Sequence, residues 1–178
     1  WWGTEALDLL GAAVPDAPSA ARVTGLDGVD EDVHRRVRAK LAGQPVEDLR
    51  VDFEDGYGAR PDAEEDAAAV SAGATLAGLL TAPGGPSFAG IRFKSLEPPT
   101  RRRGLRTLDL VLGALLEAGP LPDGFLVTLP KVTSTDQVLA MAEVCERLED
   151  LYGLAAGALR FEIQVETPQA ILGADGVA

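Results

Sequence analysis

The chain has 178 residues, of which 46% are hydrophobic and 25% are charged, a composition typical of a globular protein with a buried core. Its formal net charge of −12 argues against binding to nucleic acids and to anionic membranes. No apolar run reaches the roughly 18–20 residues that span a bilayer, and the N-terminal segment WWGTEALDLL lacks the basic region of a signal peptide. Cys145 is the single cysteine, which suits a reducing compartment, so we expect a cytoplasmic protein.

The N-terminal part of the chain predicts helices and no strand. Residues 4–13 predict a helix, the Pro- and Ala-rich segment 14–21 predicts a loop, and residues 26–43 predict a helical insert before the first strand. The insert contains His34, the only histidine, next to a run of Arg and Lys residues. A lone histidine in such a basic run is more often a surface residue than a catalyst, so we expect His34 at the surface.

After the insert, short apolar segments alternate with longer segments of helical spacing. The apolar segments are rich in β-branched and aromatic residues and predict four strands, at residues 49–53, 88–93, 125–132 and 159–165. Between them, the spacing of apolar residues predicts three helices, at residues 62–80, 100–117 and 134–151. Asp62 is a candidate N-cap of the first helix, and Met141 and Cys145 of the last are expected in the core. This alternation is typical of parallel βαβ units and predicts an α/β fold.

Polar side chains collect where each predicted strand ends. They are Asp52, Glu54 and Asp55 on the first strand, Arg92 and Lys94 on the second, Lys131 on the third, and Gln164 and Glu166 on the fourth. Sites of parallel α/β folds form at the carboxyl ends of strands, so these groups predict one site. Because residues two apart on a strand share a face, we expect Arg92 and Lys94 to point the same way. Carboxylates without a set of Cys and His residues favour Mg²⁺ or Mn²⁺ over zinc.

Four stretches in this order resemble the HpcH/HpaI aldolase and citrate lyase β-subunit family, one of the phosphoenolpyruvate/pyruvate-binding barrels. They are VDFEDGYG at 51–58, GIRFKSLE at 90–97, VTLPKV at 127–132 and FEIQVETPQAI at 161–171. The resemblance implies a (β/α)8 TIM-barrel type of fold, present here as a partial barrel of about four parallel βα units. We therefore expect residues 1–178 to be a single domain, an incomplete portion of a barrel lyase domain that carries the helical insert at 26–43.

The resemblance also implies a chemistry and a role for each strand-end residue. It implies a Mg²⁺- or Mn²⁺-dependent carbon–carbon lyase that cleaves a small oxo- or hydroxy-acid, or its CoA thioester, through an enolate. Glu166 resembles a carboxylate metal ligand, and Glu54 and Asp55 resemble catalytic acids that hydrogen-bond metal-bound water. Arg92 resembles the arginine that holds the substrate carboxylate and the developing enolate, with Gln164 and Lys131 as further substrate-binding residues. We expect a homo-oligomer that binds a small-molecule acid or thioester.

Other interpretations remain open at this point. The family takes a second metal ligand from the strand after Glu166, which this sequence does not reach, and its aldolase branch uses a histidine near the acidic turn that VDFEDGYG lacks. The chain could therefore be a non-catalytic member or fragment that binds a carboxylate ligand or a partner chain. A receiver-like doubly wound domain fits less well, because such domains place their lysine before a proline and Lys131 follows Pro130. Lys131 could also form a Schiff base, although such a lysine more often offsets nearby carboxylates.

Overall fold

The computed structural model describes residues 1–173 and 175–177. Its residues group into two compact units, one formed by Trp1–Asp48 with Pro83–Pro86 and the other by Leu49–Ala82 with the residues from Ser87 onward. Compact units are not necessarily separate domains, so the prediction of one incomplete barrel domain over residues 1–178 stays a prediction. Among the described residues, no helix is both long enough and apolar enough to cross a membrane.

The first unit is helical, with α1 at Trp2–Ala13, α2 at Ala17–Thr24 and α3 at Glu31–Gly43. The predicted loop at 14–21 is wrong because most of this segment belongs to α2. Asp16 caps α2 by accepting a hydrogen bond from the backbone N–H of Ser19 at 2.8 Å, and Pro18 lies in the first turn, where its missing N–H is tolerated. The helical insert predicted at 26–43 is a helix only from Glu31, because Asp30 caps it.

His34 is buried in this unit, with 7% of its surface exposed, so its predicted surface position is wrong. Its ring Nε2 lies 3.0 Å from the carbonyl oxygen of Val14, in the segment that follows α1. Helices α1 and α3 pack against each other, and His34 faces that packing rather than the basic side of its own helix. Its neighbours in the sequence, Arg35 and Arg36, remain exposed.

The second unit contains the sheet, whose described strands are all parallel and follow chain order. The strands are β1 at Asp48–Asp52, β2 at Phe88–Arg92, β3 at Phe125–Leu129 and β4 at Arg160–Ile163. The helices between them are α4 at Asp62–Thr81, α5 at Arg101–Ala118 and α6 at Thr135–Tyr152, and a 3-10 turn follows at Pro168–Ala170. The predicted strands and helices of this unit are confirmed to within about three residues. Strand β3 ends earlier than predicted, because Pro130 has no N–H to continue the ladder and Lys131 adopts a positive φ of 51°.

The two faces of the sheet differ in chemistry. Most odd-numbered strand residues and one face each of α4, α5 and α6 form a single core, whose largest buried members include Phe53, Ile91, Phe93, Phe125, Leu129, Leu76, Leu108, Leu112 and Met141. Cys145 also belongs to this core, so its predicted packing role and that of Met141 are confirmed. The opposite face carries the even-numbered residues, most of which are polar, including Arg50, Asp52, Arg92, Thr128 and Glu162. The candidate site therefore lies on the polar face, toward the ends of the strands.

Candidate functional site

The polar groups at the carboxyl ends of the strands form one hydrogen-bonded group, which we call the strand-end cluster. Its members come from all four strands or from the residues that directly follow them. They are Asp52, Glu54, Asp55, Arg92, Lys131, Gln164 and Glu166. The structure thus brings together all of the strand-end residues that the sequence predicted for the site except Lys94.

The centre of the cluster is a two-pronged ion pair between Arg92 and Asp52. Arg92 donates from Nε to Asp52 Oδ1 at 2.8 Å and from Nη2 to Asp52 Oδ2 at 2.6 Å. Asp52 also accepts from the backbone N–H groups of Glu54 at 2.9 Å and Gly56 at 2.8 Å. The hydrogen bonds from Arg92 and these amides lower the pKa of Asp52 to about 2, and the same pair raises the pKa of Arg92. Arg92 is therefore held rigidly by one edge of its guanidinium group.

The sequence interpretation gave Asp52 no role, although it recognised the residue among the acids of the turn. The alternation along the strands could have indicated that Asp52 and Arg92 lie close together, because both are even-numbered residues at the ends of adjacent strands. The backbone supports the same pairing, since the N–H of Phe53 donates to the carbonyl of Arg92 at 2.8 Å. Only the pairing of β1 with β2 makes the two side chains neighbours.

A second chain of hydrogen bonds joins Arg92 to the last two strands. Arg92 Nη1 donates to Gln164 Oε1 at 3.1 Å, and Gln164 Nε2 donates to Glu166 Oε2 at 3.2 Å. The other carboxylate oxygen of Glu166 accepts from the backbone N–H of Lys131 at 2.8 Å. Gln164 and Glu166, which both follow β4, therefore contact each other, and Glu166 is fixed against the turn that follows β3.

Lys131 connects these hydrogen-bonded residues to the acidic turn after β1. Its ammonium group lies 2.7 Å from Asp55 Oδ2 and 2.9 Å from Glu54 Oε1. These contacts raise the pKa of Lys131, with Asp55 as the largest influence, and lower the pKa of Asp55. A positively charged Lys131 in contact with two carboxylates agrees with the interpretation that this lysine offsets nearby negative charge.

Lys94 does not join the cluster, so the expectation that it points the same way as Arg92 is wrong. Its ammonium group lies 2.8 Å from Glu65 Oε2 in α4 and donates to the carbonyl of Phe53 at 2.7 Å. Strand β2 ends at Arg92, so the alternation of faces does not extend as far as Lys94. The sequence did not single out Glu65, which is only 1% exposed, because an acid in the first turn of a helix usually faces solvent.

A second polar layer lies beneath the cluster on the same face. Arg50 of β1 lies 3.0 Å from Thr128 Oγ1 of β3 and 3.1 Å from Glu162 Oε1 of β4, through its Nε in both cases. Thr128 also donates to Glu162 at 2.6 Å, and these bonds lower the pKa of Glu162. The polar face is therefore connected by hydrogen bonds from the first strand to the last.

The carboxylates of the cluster offer a divalent cation oxygen ligands only, which is the preference of Mg²⁺ and Mn²⁺. Glu166 is exposed to solvent, and the cluster contains more carboxylates than cations, so the donor set fits such an ion. The contacts of Lys131 with Glu54 and Asp55 indicate that a positive charge is accommodated there. Within residues 1–173 and 175–177, however, no group of three or more His, Cys, Asp and Glu side chains has a metal-binding arrangement.

The chain belongs to a family described as a domain of unknown function, DUF6986, whose model matches residues 1–178. No curated protein and no solved structure that was compared matches the chain. The description of this family names no activity, so the geometry of the site is the basis for a proposed function.

Proposed function

We propose that the chain forms part of a divalent-metal-dependent carbon–carbon lyase, which cleaves a small oxo- or hydroxy-acid or its CoA thioester next to a carbonyl group. The observation that carries the proposal is the connected position of Arg92, Glu166, Glu54 and Asp55 at the carboxyl ends of consecutive parallel strands. Sites of this kind of fold form at that end. The resemblance of the sequence to the HpcH/HpaI aldolase and citrate lyase β-subunit family supplies the reaction class.

The proposed fold is a (β/α)8 barrel of which β1–β4 form one part. Two observations support it: the strands follow chain order, and α4, α5 and α6 share one core on one face. A doubly wound sheet, such as that of a receiver-like domain, instead reverses its strand order at a switch point. The polar, connected second face is consistent with the inside of a barrel near its carboxyl end.

Arg92 has the geometry for binding a carboxylate or a developing enolate oxygen. Carbon–carbon cleavage next to a carbonyl places negative charge on that oxygen, and a preorganised guanidinium group stabilises it. Asp52 occupies the Nε side of Arg92, whereas Nη1, within the described part of the chain, donates only to the neutral amide oxygen of Gln164. An anionic substrate oxygen is a stronger acceptor than that amide and would replace it. Gln164 thus marks the position at which the substrate would meet Arg92.

The proposed metal ion would be held by Glu166, with Glu54 and Asp55 as acids that hydrogen-bond its water molecules. When bound, it would act as a Lewis acid toward the substrate carbonyl. Glu166 is oriented for this role by Gln164 and by the backbone N–H of Lys131, which leave further lone pairs of the carboxylate available. Glu54 and Asp55 are oriented by the ammonium group of Lys131.

One observation favours a second function, that of a non-catalytic binding protein for a carboxylate ligand. Lys131 contacts both Glu54 and Asp55, and Asp52 pairs with Arg92, so these carboxylates already have cationic partners without a metal ion. Such a protein would bind a small carboxylic acid through Arg92 and release it unchanged. Metal-dependent turnover separates the two functions.

The test is an assay of the purified protein with a panel of 2-oxo-acids, 3-hydroxy-acids and their CoA esters. Release of pyruvate, glyoxylate or an acetyl group is followed with Mg²⁺, with Mn²⁺ and with EDTA. We expect release only with the metal ion, and binding without release would favour the second function. Cleavage that continues unchanged in EDTA would contradict the proposed lyase mechanism.

A further inference from the structure

An ion pair between a buried carboxylate and a mostly buried ammonium group lies beside the strand-end cluster on the helical side of the sheet. Glu65 in the first turn of α4 is 1% exposed, and its Oε2 lies 2.8 Å from the ammonium group of Lys94. Its other oxygen accepts from the Thr107 hydroxyl of α5 at 2.7 Å and lies 3.4 Å from Arg103 Nε. Both partners are thus fixed by groups from different elements.

A further contact of Lys94 reaches the acidic turn. Its ammonium group donates to the carbonyl of Phe53 at 2.7 Å, one residue before Glu54. The N–H of the same Phe53 donates to the carbonyl of Arg92. Phe53 is therefore held on its amino side by the sheet and on its carboxyl side by Lys94, at the point where β1 ends and the turn begins.

An ion pair with so little exposure often adds little to the free energy of unfolding. The loss of hydration of two charges in such a pair often equals their attraction, and well-packed apolar residues of similar size are frequently as stable. The hydrogen bond from Lys94 to the Phe53 carbonyl gives this pair a second effect, because it orients the backbone at the start of the turn.

We propose that Glu65 and Lys94 are positioning residues that orient the turn at residues 53–56, so that its carboxylates meet Lys131 and its amides meet Asp52. The peptide that Lys94 holds directly precedes Glu54, whose N–H donates to Asp52 and whose carboxylate contacts Lys131. The next residue, Asp55, contacts the same ammonium group. The inference rests on the proposed function only for the chemical use of these acids.

The test replaces the pair by apolar residues in the double variant Glu65→Leu, Lys94→Met. After this change Arg103 still has Asp66 as a hydrogen-bond partner. The hydroxyl of Thr107 still donates to the carbonyl of Arg103. The matched control is Glu143→Leu, Arg147→Met, which removes an exposed ion pair within α6. Thermal unfolding, amide hydrogen exchange of Glu54 and Gly56, and the NMR signal of the Lys131 ammonium group are measured for each protein.

We expect the double variant to unfold cooperatively at a temperature close to that of the wild type. Its Glu54 and Gly56 amides should exchange about tenfold faster or more, and the Lys131 ammonium signal should shift or disappear. The control variant should leave all three measurements unchanged. Wild-type exchange and a wild-type Lys131 signal in the double variant would overturn the inference, and so would failure of that variant to fold, because the pair would then serve stability.

These readouts do not depend on catalysis. If the turn loosens as expected but no lyase activity is found in the wild type, the proposed function fails and the positioning role stands. If the wild type is an active lyase and the double variant keeps both its turn and its activity, the positioning role fails and the proposed function stands.

Discussion

Arg50 on the first strand and Glu162 on the last contact each other, with Nε 3.1 Å from Oε1. Two strands separate them in the sheet, and in a flat sheet β1 and β4 would lie about 14 Å apart. Because side chains stand roughly perpendicular to a sheet, such a contact is favoured when the polar face is concave. Curvature of this sense is what a barrel requires, and it brings the ends of β1 and β4 toward one site.

The close contact of β2 with β3 depends on Gly90. It pairs in register with Leu126, and a Cβ at this position would overlap the carbonyl oxygen of Leu126. We expect Gly90→Ala to lower the free energy of unfolding by about 1–3 kcal/mol, because the strands would have to separate. Urea denaturation measures the change.

The control for this change is Gly78→Ala on the exposed side of α4, where a Cβ meets nothing within 4 Å. It should raise the free energy of unfolding by about 0.5–1 kcal/mol, because alanine is the better helix former. Equal effects of the two substitutions would contradict the assigned packing of β2 on β3.

Arg92→Lys separates the charge of Arg92 from its geometry. Lysine keeps the positive charge but cannot bind both oxygens of Asp52 and also reach Gln164. For the proposed lyase we expect kcat to fall about 10²–10³-fold, the effect of losing one preorganised donor. The control is Arg147→Lys on the surface of α6, which should leave kcat unchanged. An Arg92→Lys enzyme with wild-type kcat would remove Arg92 from the mechanism.

Asp52 should make the stability of the protein depend on pH in the acid range. Its pKa is about 2 in the folded protein against an ordinary value of 3.8, so the folded state favours the ionised form. The resulting stabilisation is present above the ordinary pKa and is lost as the pH falls through about 2. Allowing for partial exposure, Asp52→Asn should lower the free energy of unfolding at neutral pH by about 1–2 kcal/mol.

This difference between wild type and Asp52→Asn should shrink as the pH falls toward about 2, because Asp52 of the wild type becomes increasingly protonated and therefore neutral like asparagine. Urea denaturation at a series of pH values measures it, with the exposed loop substitution Asp27→Asn as the control. A difference that stays constant down to that pH would show that the Asp52–Arg92 pair contributes nothing through ionisation.

Glu166→Gln should abolish binding of the proposed metal ion and the activity that depends on it. The amide keeps the size of the side chain and can still accept a hydrogen bond from the N–H of Lys131, but it has no anionic oxygen. Titration with Mn²⁺, followed by its electron paramagnetic resonance signal, measures binding without an assay of turnover. The matched control is Glu143→Gln on α6. Unchanged Mn²⁺ affinity in Glu166→Gln would refute the assignment of Glu166 as a ligand.

Lys131 should not act as a Schiff-base lysine. A Schiff base forms from the neutral amine, and the contacts with Asp55 and Glu54 raise the pKa of Lys131. Incubation with pyruvate and borohydride, followed by mass spectrometry of peptides, should therefore find no modified Lys131. We also expect Lys131→Met to lower kcat less than Glu166→Gln does. Trapping of Lys131 together with activity that survives EDTA would overturn the metal mechanism.

Much of the second unit could be predicted because its signals are local. The strands and helices follow from the spacing of apolar residues, and the position of the polar groups at strand ends follows from the same boundaries. The burial of Met141 and Cys145 likewise follows from the stripe on which they lie. Local pattern was misleading for α2, because Pro18 and the Asp16 cap begin a helix as readily as they indicate a loop.

The sequence by itself determined the α/β alternation, the ends of the strands and the kinds of polar group that lie there. Only the tertiary structure decided which of these groups meet. Asp52 binds Arg92, Lys94 turns away to Glu65, and Arg50 reaches Glu162, although each pair is far apart in the chain. His34 is buried for the same reason, since α3 packs on α1. Periodicity reports the face on which a side chain lies, whereas its partner depends on strand pairing, sheet curvature and helix packing, which arise only when distant segments come together.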